Sequence, residues 1–452
     1  MTTIHAAEAL LPDGWARDVR IALAGGRIGA VATGVPAEPG DDGVAALLPG
    51  MPNLHSHAFQ RAMAGLAERR GPEADDFWTW RDTMFRHALR MDPDDVEAVA
   101  AQLYVEILEA GFTRVGEFHY LHHGRDGRPY AEPAAMAARI AAAAREAGIG
   151  LTLLPVFYAR SGFGGAPAGP DQRRFASDLD GFARLLDGSR AALAGLDGAV
   201  LGVAPHSLRA ATPDELATVA ALLPDGPIHI HVAEQTREVE DCVSWSGLRP
   251  VAWLLRHAEV DRRWCLVHAT HMDGSEVAGL ARSGAVAGLC PITEANLGDG
   301  TFPGPAFAAA GGAYGIGSDS NVLIGVAAEL RQLEYSQRLL HRGRNLMAGG
   351  GGSTGCALYG AALAGGSRAL GAEPPGIREG APADLVSLDG AGPALAGRTG
   401  DAILDTWIFA GGNALVDRVW VAGRLLVTEG RHVARDMIAR RFRQAVERLA
   451  DA

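Results

Sequence analysis

Short apolar runs alternate with alanine- and leucine-rich stretches of helical periodicity through most of this chain. The runs that predict strands are Leu47–His55, Thr113–His119, Leu151–Tyr158, Ala199–His206, Ile228–Val232, Cys265–His268, Ala285–Cys290 and Ala313–Ser318. Helical patterns such as Pro93–Ala110, Pro133–Ala147, Pro213–Leu223 and Glu276–Ser283 lie between them, opened or closed by proline, aspartate or glycine. Repeated strand–helix units of this kind predict an α/β protein with a parallel sheet, and eight of them close into a (β/α)8 TIM-like barrel.

The two ends follow a different rhythm. Residues 1–47 and 376–432 hold short β-like pieces around turns, among them Val19–Leu23, Asp384–Leu388, Ile403–Phe409 and Val416–Leu426. They are expected to pair into one small β-sandwich domain beside a barrel at 48–375. Residues 433–452 are expected to form a C-terminal helix, packed rather than free, from the amphipathic stretch Ala434–Leu449.

Polar residues fall where this architecture puts chemistry. Catalytic groups in such barrels project from the C-terminal ends of the strands. His55 and His57 end the first predicted strand, His231 and Glu234 the fifth, His268 the sixth and Asp319 the eighth. Alternate residues of a strand share a face, so His55 and His57 aim at one point. With His231 and Asp319 they supply three imidazoles and a carboxylate, a donor set suited to one divalent metal, zinc or ferrous iron. A metal there brings the pKa of water toward neutrality. His268 and Asp319 are placed to accept its proton, and Glu234 to carry one to a leaving nitrogen. His229 is expected to be a buried, hydrogen-bonded histidine, and His122 and His123 loop residues.

Composition narrows the chemistry. All 41 basic residues are arginines, so there is no P-loop lysine, no Schiff-base lysine and no lysine to carboxylate as a bridge between two metals. Gly349-Gly350-Gly351-Gly352-Ser353-Thr354-Gly355 resembles a phosphate loop, but without a lysine it reads as a flexible active-site or connecting loop. A net charge of -12 with scattered arginines argues against a nucleic-acid partner. Four isolated cysteines, Cys242, Cys265, Cys290 and Cys356, suit a reducing, cytoplasmic setting, and no apolar run is long enough for a membrane span.

The motifs Ala9-Leu10-Leu11-Pro12-Asp13-Gly14-Trp15, Asn53-Leu54-His55-Ser56-His57-Ala58-Phe59-Gln60-Arg61, His229-Ile230-His231-Val232-Ala233-Glu234-Gln235 and Cys290-Pro291-Ile292-Thr293-Glu294-Ala295-Asn296-Leu297-Gly298-Asp299-Gly300 carry a resemblance. Across the whole length the chain resembles the amidohydrolase superfamily, in its single-metal deaminase branch, and is similar there to the formimidoylglutamate deiminases. That resemblance implies hydrolysis of a formimino group to formyl and ammonia, in histidine breakdown, by a homodimer. It also implies substrate contacts by Gln60, Arg81, Tyr120, His206 and Arg209. An arginine fork matches a carboxylate, and a glutamate-derived substrate carries two. Two other readings are a deaminase of an aminated heterocycle, which would favour a less cationic stacking pocket, and a non-catalytic barrel scaffold, which would have lost ligands.

Overall fold

The computed structural model describes residues 2–70 and 75–451. Met51–Ser56, Phe112–His119 and Gly150–Phe157 run parallel, and the third also pairs with the short pieces Val200–Leu201 and Ala204–Pro205. A second parallel sheet orders Ile228–Val232, Trp264–His268, Val286–Leu289 and Ala313–Ile316. The two sheets meet at both edges. Val203 bridges Ile228 and Ser207 bridges His231 at one seam; at the other, Ser56 bridges Asp319. His57 N donates to Asp319 O at 3.0 Å and Asp319 N to His55 O at 2.9 Å, so eight staves close into the expected barrel. Nearly every strand residue is buried, as helices on the outside and packed side chains on the inside require.

Local chemistry sets the helix ends. Asp92 and Asp95 form a capping box with Pro93 at the first helical turn of Pro93–Glu109. Thr212 with Glu215 and Asp273 with Glu276 open Pro213–Ala221 and Gly274–Ser283 in the same way. Gly148 (φ 78°) and Gly284 (φ 79°) end Ala135–Ala147 and Gly274–Ser283 in the left-handed conformation.

Strands from both ends form one eight-stranded sheet. Asp42–Pro49 pairs with Thr2–Leu11 on one side and Leu385–Leu388 on the other, which joins the N-terminal and C-terminal pieces. Arg27–Ala32, at the far edge, turns back onto the segment before Leu385: Ile28 N donates to Ala381 O at 2.9 Å. The sheet thereby wraps its own core of Ile4, Val19, Ile21, Leu47, Ile377, Leu385 and Trp420, as the two layers of a sandwich do. The helix Arg435–Asp451 is tied to the barrel by Arg435–Glu109 and Arg448–Asp95 ion pairs, each 2.7 Å.

Three expectations need correction, while the glycine-rich stretch is a connection, as expected. Leu47–His55 is two strands, because the chain passes from end sheet to barrel at Gly50, where a Cβ would lie 2.2 Å from Thr113 Cγ2. Ala199–His206 is interrupted at Gly202, pressed against Leu154 and Pro227. Ile403–Phe409 is helical: Asp401–Thr406 continues as a wider turn through Trp407–Gly411. Its buried residues Ile403, Leu404, Trp407 and Ile408 form a helical stripe, not a two-residue alternation. The glycine-rich stretch connects helix Val326–His341 to helix Thr354–Ala369, and the Asp405 carboxylate already accepts from Gly355 N (2.7 Å) and Ser353 Oγ (2.9 Å). That helix start is satisfied from within the protein.

Candidate active site

The C-terminal ends of the first, fifth and eighth barrel strands bring four donor atoms together. His55 Nε2 lies 3.2 Å from His57 Nε2 and 3.0 Å from His231 Nε2. Asp319 Oδ1 is 3.5 Å from the first and 3.2 Å from the second. All four side chains are buried. His57 Nδ1 donates to Phe118 O at 3.0 Å, which leaves its Nε2 as the lone-pair atom. Burial pushes His55 down to about 3 and His231 well below the usual histidine range, so both are neutral ligands near pH 7. Converging lone pairs repel unless a cation lies among them. Zinc bonds of about 2.0–2.1 Å place tetrahedral ligands about 3.3 Å apart, close to the 3.0–3.5 Å of these four contacts.

Strained backbone presents these groups. Ala233 (φ 52°), His268 (φ 67°), Ala269 (φ 47°), Asp319 (φ 46°) and Asn321 (φ 58°) all occupy the left-handed region, at the ends of the fifth, sixth and eighth staves. A buried network holds the Asp319 turn. Asn53 donates to Ser318 Oγ (2.6 Å) and accepts from Ser318 N (3.0 Å), while Asn321 donates to Asp319 O (2.8 Å) and His57 O (3.1 Å). Asn53, Ser318 and Asn321 were not among the residues singled out in the sequence. Asn53 appears there only as the first residue of the motif that runs to Arg61, and Ser318 and Asn321 only as neighbours of Asp319, the former ending the eighth predicted strand.

His268 and Glu234 stand beside the cluster. His268 Nε2 is 3.8 Å from Asp319 Oδ2 and 3.7 Å from Glu234 Oε1, and its Nδ1 is 3.3 Å from Glu294 Oε1. Burial opposes a charge on His268, but Glu234, Glu294 and Asp319 outweigh it and hold its pKa well above the usual range. Burial, with Asp319 nearby, pushes Glu234 up to about 7. Glu294, which orients His268, lies in the quoted motif of residues 290–300 but had no role assigned from the sequence; it accepts from Cys290 N at 2.8 Å.

A cavity opens over these groups, and all five expected substrate contacts line it: Gln60, Arg81, Tyr120, His206 and Arg209. Gln60 Nε2 donates to Tyr120 Oη at 2.9 Å. The His206 ring lies 4.9 Å from His231 and 4.8 Å from Tyr158. Arg81 comes from helix Phe77–Ala88, which roofs the cavity between the first strand and its barrel helix. Arg81 and Arg209 both lie against Trp78, with Cζ 4.4 and 5.9 Å from its ring centroid. Among the described residues neither has a carboxylate within ion-pair distance, and the Nε of each is buried without a partner. Burial, then Arg209, lowers the pKa of Arg81. Two like charges gathered without an ion-pair partner among the described residues make this part of the cavity suited to an anion. The other histidines are structural: His229 Nε2 donates to Ala369 O at 2.7 Å, and His122 to Val156 O at 2.9 Å.

Comparison with known proteins agrees with this geometry. Residues 46–426 match the Amidohydrolase family, and residues 1–43 match the N-terminal domain of formimidoylglutamate deiminase HutF. The chain is 54% identical to a formimidoylglutamate deiminase of Pseudomonas aeruginosa, over 100% of both chains. It is 30% identical to a 5-methylthioadenosine/S-adenosylhomocysteine deaminase of Natronomonas pharaonis, over 76% of this chain and 73% of that one. A crystal structure of an amidohydrolase from Brucella melitensis superposes with a TM-score of 0.97 at 62% identity, covering 100% of both chains. An adenosine deaminase from Xanthomonas campestris with bound zinc shares the fold, with a TM-score of 0.84 at 23% identity and 100% and 99% coverage. The chain belongs to the amidohydrolase family and, within it, to the group of formimidoylglutamate deiminases.

Proposed function

We propose that the protein hydrolyses N-formimino-L-glutamate to N-formyl-L-glutamate and ammonia, a step of histidine breakdown, with one divalent metal that is zinc by preference. The observation that carries this reading is the pairing of Arg81 and Arg209, cations without an acid partner among the described residues, above a buried three-histidine, one-aspartate cluster. A dicarboxylate with a formimino nitrogen fits both halves. The full-length likeness to a protein called formimidoylglutamate deiminase supports it.

His55, His57, His231 and Asp319 would hold the metal, which supplies water acidic enough to give up a proton near neutral pH. Asp319 is the base placed to accept a proton at this site, and His268, 3.8 Å away and held protonated by its three acid neighbours, can share that proton with it. Glu234, pushed up to about 7 and 3.7 Å from His268, keeps a proton for the formimino nitrogen. Water adds to the formimino carbon as Glu234 protonates the terminal nitrogen, and the proton taken from the water is passed to that nitrogen. Its C–N bond then breaks to release ammonia, while the hydroxyl proton left on the new formyl group returns to Glu234. Arg81 and Arg209 take the carboxylates, while Gln60, Tyr120 and His206 fix the chain between them. A heterocycle deaminase is disfavoured by the two unpaired guanidiniums.

The same proposal makes the protein a cytoplasmic homodimer acting on a small molecule, without a nucleic-acid partner. Among the described residues no helix is long and apolar enough to cross a membrane. Ammonia release, measured on metal-quantified protein with formimino-glutamate and a panel of aminopurines and aminopyrimidines, tests the reaction. Turnover of a heterocycle and none of formimino-glutamate would replace it. Native mass and cell fractionation test the rest.

A further inference from the structure

One buried acid beside the site has no part in the scheme above. Asp299 follows helix Pro291–Leu297 and is 4% exposed. It is pinned on three sides. Its N–H donates to Glu294 O at 2.9 Å, its carbonyl accepts from His271 Nε2 at 2.8 Å, and its Oδ1 accepts from Gln235 Nε2. Its Oδ2 is buried with no partner. Glu234, His268 and Asp299 each bring a donor atom within 4.8 Å of the other two.

The partners matter more than the proximity. Gln235 is the neighbour of Glu234, and Glu294 orients His268. Glu234 lies just past Ala233, whose left-handed φ of 52° costs energy. Glu234 N donates to Glu238 Oε2 at 3.1 Å, and His271 N to Ala233 O at 3.0 Å. This strained turn is therefore clamped by Glu238 and His271 through the main chain and by Asp299 through Gln235.

We propose that Asp299 is a positioning residue for Glu234, whose carboxyl, through Gln235 and its own free oxygen, aims the Glu234 side chain at the leaving nitrogen. Two buried carboxyls this close do not both ionise. Burial, then Glu234, pushes Asp299 up to about 9, so at neutral pH it is neutral and its second oxygen carries an O–H to give. An asparagine amide can replace that O–H and keep an acceptor for Gln235. An alanine can do neither.

This inference rests on Glu234 being the proton donor in the proposed reaction. The test compares full-length, metal-quantified wild type, Asp299→Ala, Asp299→Asn and Gln235→Leu by steady-state ammonia release. Asp299→Ala is expected to lose about 30-fold in kcat, less than the ~10²–10⁴-fold that a positioned general acid contributes, with KM and bound metal within about twofold. Asp299→Asn is expected to restore kcat to within about threefold of wild type, and Gln235→Leu to lose as much as Asp299→Ala without adding to it in the double variant. If Asp299→Ala fails to fold, Asp299→Asn and Gln235→Leu still decide. Wild-type kcat in Gln235→Leu or Asp299→Ala, an Asn variant as poor as Ala, or a loss that tracks bound metal would each overturn the proposal. Wild-type turnover of formimino-glutamate tests the reaction by itself. Were it absent, the same variants would be compared on the substrate that the panel identifies.

Discussion

Replacing Arg209 with methionine removes one of two cations from the cavity while keeping most of its volume. A charge-assisted hydrogen bond contributes about 1.5–3 kcal/mol, so losing one carboxylate contact should lower kcat/KM by about 10- to 150-fold. The structure sharpens that range in two ways. Arg209 Nε is buried and unpaired, so no acid of the described chain is orphaned when it goes. Arg209 also lowers the pKa of Arg81, so its removal relieves repulsion, and the free variant should melt no lower than wild type. The assay is ammonia release from formimino-glutamate, from the formimino derivative of 4-aminobutyrate, which lacks the α-carboxylate, and from formimino-glycine, which lacks the side-chain carboxylate. The penalty should persist on one truncated substrate and largely vanish on the other, identifying which carboxylate Arg209 binds. An equal penalty on all three substrates, or wild-type kinetics, would refute a direct contact.

Asp319→Asn should lose turnover and bound metal while keeping the fold, read by metal analysis and circular dichroism; full activity would remove Asp319 from the ligand set. Asn53→Ala breaks two buried bonds to Ser318 and should cost about 2–3 kcal/mol in denaturant unfolding and weaken metal retention against a chelator. Gly365→Ala would put a Cβ 1.9 Å from Tyr314 O, where helix Thr354–Ala369 crosses the eighth barrel strand, and should destabilise by about 2–4 kcal/mol. Burial pushes Glu117 up to about 7, so the folded, metal-free protein binds a proton there that the unfolded chain has released. Its contribution is present below the ordinary glutamate range and is lost as pH rises through about 7. Wild type should therefore lose up to about 3 kcal/mol relative to Glu117→Gln between pH 4.5 and 8.

The donor cluster was legible because each of its members ends a stave, and a barrel turns sequence-distant strand ends into spatial neighbours. His55 and His57 are alternate residues of one strand, and His231 and Asp319 occupy the same level on theirs, so a two-residue period and a strand count were enough. The supporting shell was not legible. Asn53, Ser318 and Asn321 act through side-chain bonds spanning more than 260 residues, and nothing in local pattern marks them. The left-handed turn at Asp319 is held by such bonds too, against the preference of that residue. Ile403–Phe409 shows the opposite failure: a short apolar run fits strand and helix alike, and only its burial against the barrel helices decides. Arg81 and Arg209 were marked by family likeness, but their lack of an acid partner is a property of the folded cavity alone.

The most direct measurement is an activity titration: strip the protein with a chelator, return zinc in substoichiometric steps, and follow ammonia release from formimino-glutamate. Activity should be absent in the stripped protein and rise linearly to a plateau at one zinc per chain. Full activity without metal, a plateau at two, or a loaded protein inert toward this substrate would contradict a single-ion centre built from His55, His57, His231 and Asp319.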